Sequence, residues 1–192
     1  MTFRDLVAQE FAPYGPLTPL QLDQLQNHYD LLVRWNPKLN LTRITSLEDA
    51  ARLHYCESLY LGRCLPEGAL SIADIGSGPG FPGVPIAILR PECQVTLVES
   101  HQRKAVFLRE STRGLANVTV FSGRAEDLAT RFDWVVARAV TPEDVLRLPI
   151  SDHFALLVGP EDSERLGGRP LPWGKGRFVA SVPRGTLLTP GV

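Results

Sequence analysis

Apolar positions in the first third of the chain follow a helical period. Thr18-Pro19-Leu20-Gln21 combines a hydroxyl suited to an N-cap, a proline at the first helical position and a glutamine at the capping-box position. Apolar residues then recur at three- and four-residue spacing, at Leu22, Leu25, Tyr29 and Leu32. The pattern predicts a helix to about Trp35, ended by Asn36-Pro37, and a second helix over residues 46–63 that begins at the cap Ser46.

The pattern changes in the middle of the chain to short apolar runs separated by segments of helical character, such as 102–115. The runs occupy residues 70–75, 94–99, 118–121 and 132–137. Strands that alternate with helices need crossover connections, so the order predicts a parallel sheet covered on both faces. Two later runs, 153–158 and 177–182, predict further strands.

Composition limits the classes of protein that fit. The 192 residues carry a formal net charge of −1, so a nucleic-acid partner would have to meet a local basic face. Three cysteines without a CxxC pair favour a reducing compartment and argue against a disulfide framework or a zinc site. The start of the chain resembles no secretory signal, and no apolar run reaches bilayer length. We therefore expect a cytoplasmic, monomeric protein that associates with no membrane and binds no metal.

The strongest chemical signal is the glycine turn Asp74-Ile75-Gly76-Ser77-Gly78-Pro79-Gly80, directly after the first predicted strand. Such a turn lets backbone N–H groups approach a ligand closely. The dinucleotide fingerprint would need a third glycine where Phe81 stands. Glu99 ends the next strand about 20 residues on, where this kind of fold places an acid on ribose hydroxyls. The alternative is a structural glycine turn followed by an unrelated surface glutamate.

Two later strand ends fit the same nucleoside-binding interpretation. Ala125 and Glu126 follow the third strand, at a position that commonly borders the adenine ring. Arg138 follows the fourth strand, at the edge where ligands bind at a topological switch. A salt bridge to a neighbouring carboxylate explains Arg138 equally well on spacing alone.

Longer motifs indicate a family. The chain contains Trp35-Asn36 with Asn40-Leu41-Thr42, His54 with Ser58, and the loop from Asp74 to Pro85 with its two late prolines. These segments resemble the bacterial 16S ribosomal RNA guanine-N7 methyltransferase family, also called glucose-inhibited division protein B. The resemblance covers about residues 30–140. It implies a doubly wound Rossmann-like α/β sheet that binds S-adenosylmethionine (SAM) and methylates 16S ribosomal RNA or the small ribosomal subunit.

The resemblance also implies an organisation and a set of site residues. We expect an N-terminal helical extension over residues 1–66, packed on a methyltransferase core over 67–192 with a shortened C-terminal part. His54 and Arg138 are the expected catalytic residues. The expected cofactor-binding residues are Gly76, Ser77, Gly78, Gly80, Phe81, Glu99, Ala125, Glu126 and Arg138.

Some features depart from the family pattern or keep alternatives open. Glu57 replaces the usual aspartate, Ala137 replaces a serine, and no lysine precedes Gly159. A methyltransferase with a small-molecule or protein substrate, or a degenerate SAM-binding protein, therefore remain alternatives. Two basic clusters are candidate phosphate contacts, or else ordinary solvated helix faces. They are Arg34, Lys38 and Arg43, and then Arg103, Lys104, Arg109 and Arg113.

Overall fold

The computed structural model describes residues 1–184 as seven strands and eight α-helices in one mixed α/β arrangement. The strands are β1 (Ser71–Ile75), β2 (Gln94–Glu99), β3 (Val118–Ser122), β4 (Trp134–Arg138), β5 (His153–Val158), β6 (Arg169–Pro170) and β7 (Phe178–Pro183). The helices are α1 (Phe3–Phe11), α2 (Pro19–Leu39), α3 (Leu47–Asp49), α4 (Glu57–Cys64), α5 (Gly83–Leu89), α6 (Gln102–Ser111), α7 (Pro142–Leu146) and α8 (Pro160–Leu166).

The sheet has the order β3-β2-β1-β4-β5-β7-β6. Its first five strands are parallel, as the alternation of strands and helices predicts, whereas β7 runs antiparallel to both β5 and β6. Chain order reverses between β1 and β4. In open α/β sheets, ligands bind outside the carboxyl ends of the strands at such a reversal. The fold therefore directs attention to the loops after β1 and β4.

Helices cover both faces of the sheet, which confirms the predicted doubly wound class. On one face, a continuous apolar cluster joins α1, α2, α4, α5 and α6 to sheet residues such as Ile72 and Leu97. On the other face, Val145 of α7 and Leu166 of α8 pack against Ala73 and its neighbours. The N-terminal helices share the core of one sheet face, and the proposed boundary at residue 66 stays a prediction.

The predicted end at Asn36-Pro37 of the helix that begins at Pro19 was wrong. Helix α2 continues through Pro37 to Leu39 and ends at Asn40, whose φ of 49° is the left-handed conformation that asparagine tolerates at a helix end. A proline inside a helix leaves the carbonyl four residues earlier without its donor. That residue is Val33, which is 53% exposed, so water can satisfy its carbonyl.

The predicted helix over 46–63 forms with an irregular middle. The Ser46 side chain accepts from the Asp49 N–H and begins α3, as predicted. Residues Ala50–Cys56 then form a π-helical segment before α4. Such widened turns occur frequently at functional sites. Three helices, α1, α7 and α8, had no specific prediction.

No helix among residues 1–184 combines the length and the apolar character that a membrane span needs. Within the same residues, no three His, Cys, Asp or Glu side chains gather as a group able to hold a metal ion.

Candidate active site at the strand reversal

The glycine turn closes the carboxyl end of β1 against β2. The N–H groups of Gly76 and Ser77 both donate to the Val98 carbonyl, each at 3.0 Å, and the Ser77 hydroxyl donates to the Asp74 carbonyl at 2.9 Å. Gly76 has a φ of 69°, and a Cβ added there would lie 2.7 Å from Cγ2 of Val140. Glycine is therefore required at 76 both for its backbone conformation and for close approach to the loop after β4.

Glu99 fixes the shape of the glycine turn. One carboxylate oxygen accepts from the Gly78 N–H at 2.9 Å, and the other accepts from the His101 N–H at 2.8 Å. The side chain is only 4% exposed. A carboxylate oxygen carries two lone pairs, so each oxygen retains acceptor capacity after these bonds. Glu99 thus joins the β1 turn to the start of α6, in the position where the sequence predicted a ligand acid.

Asp74 is buried beneath the same turn. Its Oδ2 accepts from the Gly83 N–H at 3.0 Å, whereas Oδ1 has no hydrogen-bond partner. Burial raises the pKa of Asp74 to about 7, and the hydrogen bond from the Gly83 N–H and the charge of Arg138 oppose this rise. The carboxyl group therefore carries a proton over much of the acidic range, where an exposed aspartate is ionised.

A first cavity of about 450 Å³ lies on one side of this turn. Its volume falls within the range of small-molecule sites, and apolar side chains provide much of its wall. Glu126 and Asp144 add carboxylates. The complete lining is Ile75, Gly76, Val98, Ser100, Gly123, Arg124, Ala125, Glu126, Val140, Asp144, Val145 and Leu148. Apolar walls for a flat ring together with carboxylates for hydroxyl or amino groups suit an adenosine-containing ligand.

A second cavity of about 570 Å³ lies on the other side of the β4 end. It is bounded by the segment after α2, the π-helical segment, the ends of β4 and β5, and the chain from β6 to β7. Its lining is Thr42, Arg43, Ile44, His54, Glu57, Arg138, Ala139, Leu157, Val158, Gly159, Leu171, Gly176, Arg177 and Phe178. Three arginines, a histidine and a buried carboxylate make the lining of the second cavity more basic than that of the first.

Phe81 packs against two side chains that line the second cavity, His54 and Arg138. Its ring stacks on His54 with centroids 4.6 Å apart, and the Arg138 guanidinium lies 5.1 Å from its centroid on a cation–π contact. Arg138 also donates to the Leu53 carbonyl at 3.0 Å. Burial is the main cause that lowers the Arg138 pKa, to about 10, so the side chain stays charged near neutral pH.

His54 is neutral at physiological pH. Burial, with the nearby charges of Arg138 and Arg177, lowers its pKa to about 2. Its Nε2 lies 2.7 Å from the Thr42 hydroxyl, and its buried Nδ1 has no partner. His54 therefore cannot act as a proton donor of imidazolium type, but a neutral ring can still stack and form one further hydrogen bond.

Glu57 and Arg177 form a buried ion pair that ties the C-terminal strands to α4. Arg177 donates to both oxygens of Glu57, from Nε and, at 2.6 Å, from NH2. The Glu57 side chain is fully buried and that of Arg177 is 34% exposed. Burial raises the pKa of Glu57, and the bonds from Arg177 oppose the rise. Glu57 is therefore the partner of an arginine from the far end of the chain, a contact that sequence spacing could not indicate.

The structure separates the predicted site residues into three groups. Gly76, Ala125 and Glu126 line the first cavity, and His54 and Arg138 line the second. The remaining residues shape or support the turn and line neither of these two cavities: Ser77, Gly78, Gly80, Phe81 and Glu99. Sequence reasoning missed Val140, Asp144, Val145 and Leu148 of the first cavity and Arg177 of the second, because these positions carry no motif.

A twisted parallel sheet with a glycine turn and cavities at its strand reversal defines the class of Rossmann-like, nucleotide-binding α/β proteins. Within that class, the family model described as rRNA small subunit methyltransferase G, or GidB, matches residues 21–151. The chain belongs to this family, which confirms the resemblance seen in its motifs.

Relatives of the same name agree with this assignment. A ribosomal RNA small subunit methyltransferase G of Streptococcus pneumoniae serotype 19F (strain G54) is 37% identical over 155 residues, which cover 76% of this chain and 64% of the relative. One from Pelotomaculum thermopropionicum is 38% identical over 163 residues, covering 77% and 68%. The chain thus spans a little under two thirds of the length of the streptococcal relative.

Solved structures support the fold. A SAM-dependent methyltransferase from Aquifex aeolicus aligns with a TM-score of 0.54 at 15% identity, covering 69% of this chain and 91% of that one. A putative RNA methyltransferase from Pyrococcus horikoshii aligns with a TM-score of 0.52 at 18% identity, covering 86% and 96%. At such identities the likeness concerns the Rossmann-like fold alone.

Proposed function

We propose that the chain is a cytoplasmic SAM-dependent methyltransferase that modifies N7 of a guanine in 16S ribosomal RNA. The observation that carries the proposal is the pair of cavities on the two sides of Ala139, one lined by apolar side chains and carboxylates and the other by three arginines and a histidine. A transferase of this kind needs two adjoining sites, one for the donor and one for the acceptor. Membership of the rRNA small subunit methyltransferase G family supports the choice of donor and acceptor.

The residues of the first cavity fit SAM. Ile75, Val98 and Val140 offer apolar surface to an adenine ring, and Glu126 offers a carboxylate beside it. Glu99, which does not line the cavity, holds the glycine turn in shape beside it through Gly78. When bound, SAM supplies a methyl group on a positively charged sulfur, which makes that carbon electrophilic.

The residues of the second cavity fit a guanine. Guanine presents the acceptors O6 and N7 on one edge, and arginine is the side chain that most often reads that edge. Arg138 keeps its charge and has one N–H group bound to Leu53, so its other donors can serve O6. The N7 lone pair is free without loss of a proton, so a neutral His54 is compatible with a reaction that needs no general base.

In this mechanism the protein contributes orientation. His54 stacks on Phe81 and forms part of the wall of the acceptor cavity, while Arg138 fixes the base through its guanidinium. The protein holds the N7 lone pair in line with the methyl carbon, so the two reactants need not meet by chance in the right orientation. This positioning is the main contribution to the rate enhancement.

The test uses purified protein, labelled SAM and 30S subunits from a strain without its own enzyme of this kind. We expect label in 16S ribosomal RNA, at one guanine when the RNA is mapped by mass spectrometry. Arg138→Gln should lose methyl transfer while calorimetry still detects SAM binding, and Arg147→Gln, an exposed arginine outside both cavities, serves as its control. If the protein binds SAM but no label appears in the RNA, 16S ribosomal RNA is not the substrate. If it does not bind SAM, it is a degenerate member of the family.

A further inference from the structure

Two basic clusters that are far apart in sequence lie on one surface. Helices α2 and α6 pack against each other, with the Trp35 and Phe107 rings 5.7 Å apart. The Arg103 guanidinium at the start of α6 donates to the Lys38 carbonyl at the end of α2, at 3.2 Å. The first basic cluster therefore adjoins the second.

A groove of about 300 Å³ runs between the two helices. Its lining is Leu31, Arg34, Trp35, Lys38 and Glu110. Arg34, Lys38, Arg103 and Arg113, which we call the basic face, are all exposed. The single carboxylate that lines the groove is Glu110, which pairs with Arg113 at 2.6 Å.

Charge distinguishes the basic face from an ordinary solvated helix surface. The whole chain has a net charge of −1, yet the basic face holds four cations against Glu110. Among residues 1–184, Arg34, Lys38 and Arg103 form no ion pair with a protein carboxylate, although the chain has many carboxylates to offer. A row of unpaired cations beside an indole suits a polyanion that carries flat bases.

The basic face leads to the second cavity. Asn36, one turn before the end of α2, donates to the Thr42 carbonyl at 3.0 Å and accepts from the Thr42 N–H at 2.9 Å. This clamp turns the chain after α2 towards the site, where Thr42, Arg43 and Ile44 line the second cavity. A strand whose base occupies that cavity would therefore have its flanking backbone near the end of α2.

We propose that the basic face binds the phosphate backbone of the RNA that flanks the target base, an inference that rests on the proposed function. Phosphate contacts of this kind give affinity and register, while the second cavity reads the base. The ligand is a single RNA strand, and the groove beside Trp35 accommodates one of its unpaired nucleotides.

The test compares two double variants that each remove two positive charges. Arg34→Gln/Lys38→Gln alters the basic face. Arg131→Gln/Arg184→Gln is the control, since both arginines lie beside Asp152 at the edge of the sheet where the parallel strands begin, away from the cavities. Filter binding to 30S subunits without SAM, at salt concentrations from about 50 to 200 mM, gives the affinity and its salt dependence.

Each lost phosphate contact should reduce the slope of log affinity against log salt by about 0.7, so the basic-face variant should lose about 1.4 in slope. Its affinity near 0.1 M salt should fall by about tenfold or more, while the control keeps the wild-type slope. Glu110→Gln, which removes the acid from the groove, should bind a few-fold more tightly. All three variants alter exposed or half-buried side chains, and thermal unfolding checks that they remain folded.

The outcomes separate this inference from the proposed function. Equal slopes for the two double variants would overturn the basic face as the RNA contact, even if methyl transfer is observed. A reduced slope in the basic-face variant alone, with no methyl transfer by the unaltered protein, would support the basic face and refute the enzymatic activity.

Discussion

The contact between Gly76 and Val140 makes a sharp prediction about the first cavity. Gly76→Ala would place a methyl group 2.7 Å from Cγ2 of Val140, on a residue whose φ is 69°. Gly78→Ala is its matched control, because Gly78 also has a positive φ, of 55°, but its added Cβ would meet only the Gly76 carbonyl at 3.8 Å. The two variants share the backbone strain and differ in the steric clash.

The expected magnitudes follow from these two terms. Placing alanine in the left-handed region costs about 1–2 kcal/mol in either variant. Overpacking adds about 1–3 kcal/mol in Gly76→Ala alone, so this variant should lose more free energy of unfolding than Gly78→Ala by that amount. Val140 also lines the first cavity, and its displacement should weaken SAM binding at least tenfold relative to Gly78→Ala.

Urea denaturation and calorimetric SAM titration measure the two effects. The double variant Gly76→Ala/Val140→Ala removes the clashing methyl group and should recover about 1–3 kcal/mol as a favourable coupling energy. Additive effects of the two substitutions, or equal SAM affinities for Gly76→Ala and Gly78→Ala, would refute the view that this contact shapes the ligand site.

Three further predictions concern buried or strained groups. Glu57→Gln leaves Arg177 without its charge partner and should lower the free energy of unfolding, measured by urea denaturation, by roughly 2–3 kcal/mol. The expected loss is small for a buried ion pair because Arg177 is partly exposed. The raised pKa of Asp74, about 7, means that the folded protein holds a proton that the unfolded chain releases above about pH 4, so stability from this group falls as pH rises from about 4 to 7. Asp74→Asn should abolish that fall, and its stability relative to wild type, followed by urea titration at pH 5 and pH 8, should increase with pH. Ala139, with a φ of 56°, is strained, so Ala139→Gly should unfold at the same or a higher urea midpoint, with a gain of up to about 1 kcal/mol, whereas Ala139→Val should unfold at a lower one.

Local patterns sufficed to predict most of the fold. The strand 94–99 and the strand 153–158 form with the predicted bounds, because a buried parallel strand is a short apolar run between turn residues. The end of α2 was missed because Pro37 lies in the last turn of the helix, where the carbonyl that it leaves without a donor belongs to the exposed Val33. The strand predicted at 177–182 forms as β7, but its antiparallel direction was not predicted, since direction depends on the path of the chain and not on the strand itself.

The candidate site was predictable only where a motif marks it. The glycine turn and Glu99 lie on adjacent strands at a spacing that the fold dictates, so their hydrogen bond follows from local sequence. The Glu57–Arg177 pair and the joining of α2 to α6 depend instead on tertiary packing. Neither periodicity nor motif spacing can predict a contact between residues that are 120 positions apart in the sequence.

The division of the site into two cavities rests on one backbone torsion. In an extended strand, residues i and i+2 point to the same face, so Arg138 and Val140 would share a side. The left-handed conformation of Ala139 breaks this alternation, and the two side chains enter different cavities. A glycine would adopt the turn more easily but would also leave it free to move. Its two neighbours are held in place, Val140 close to Gly76 and Arg138 over the Phe81 ring. An alanine between them gives donor and acceptor a fixed relation, which is what a reaction governed by orientation requires.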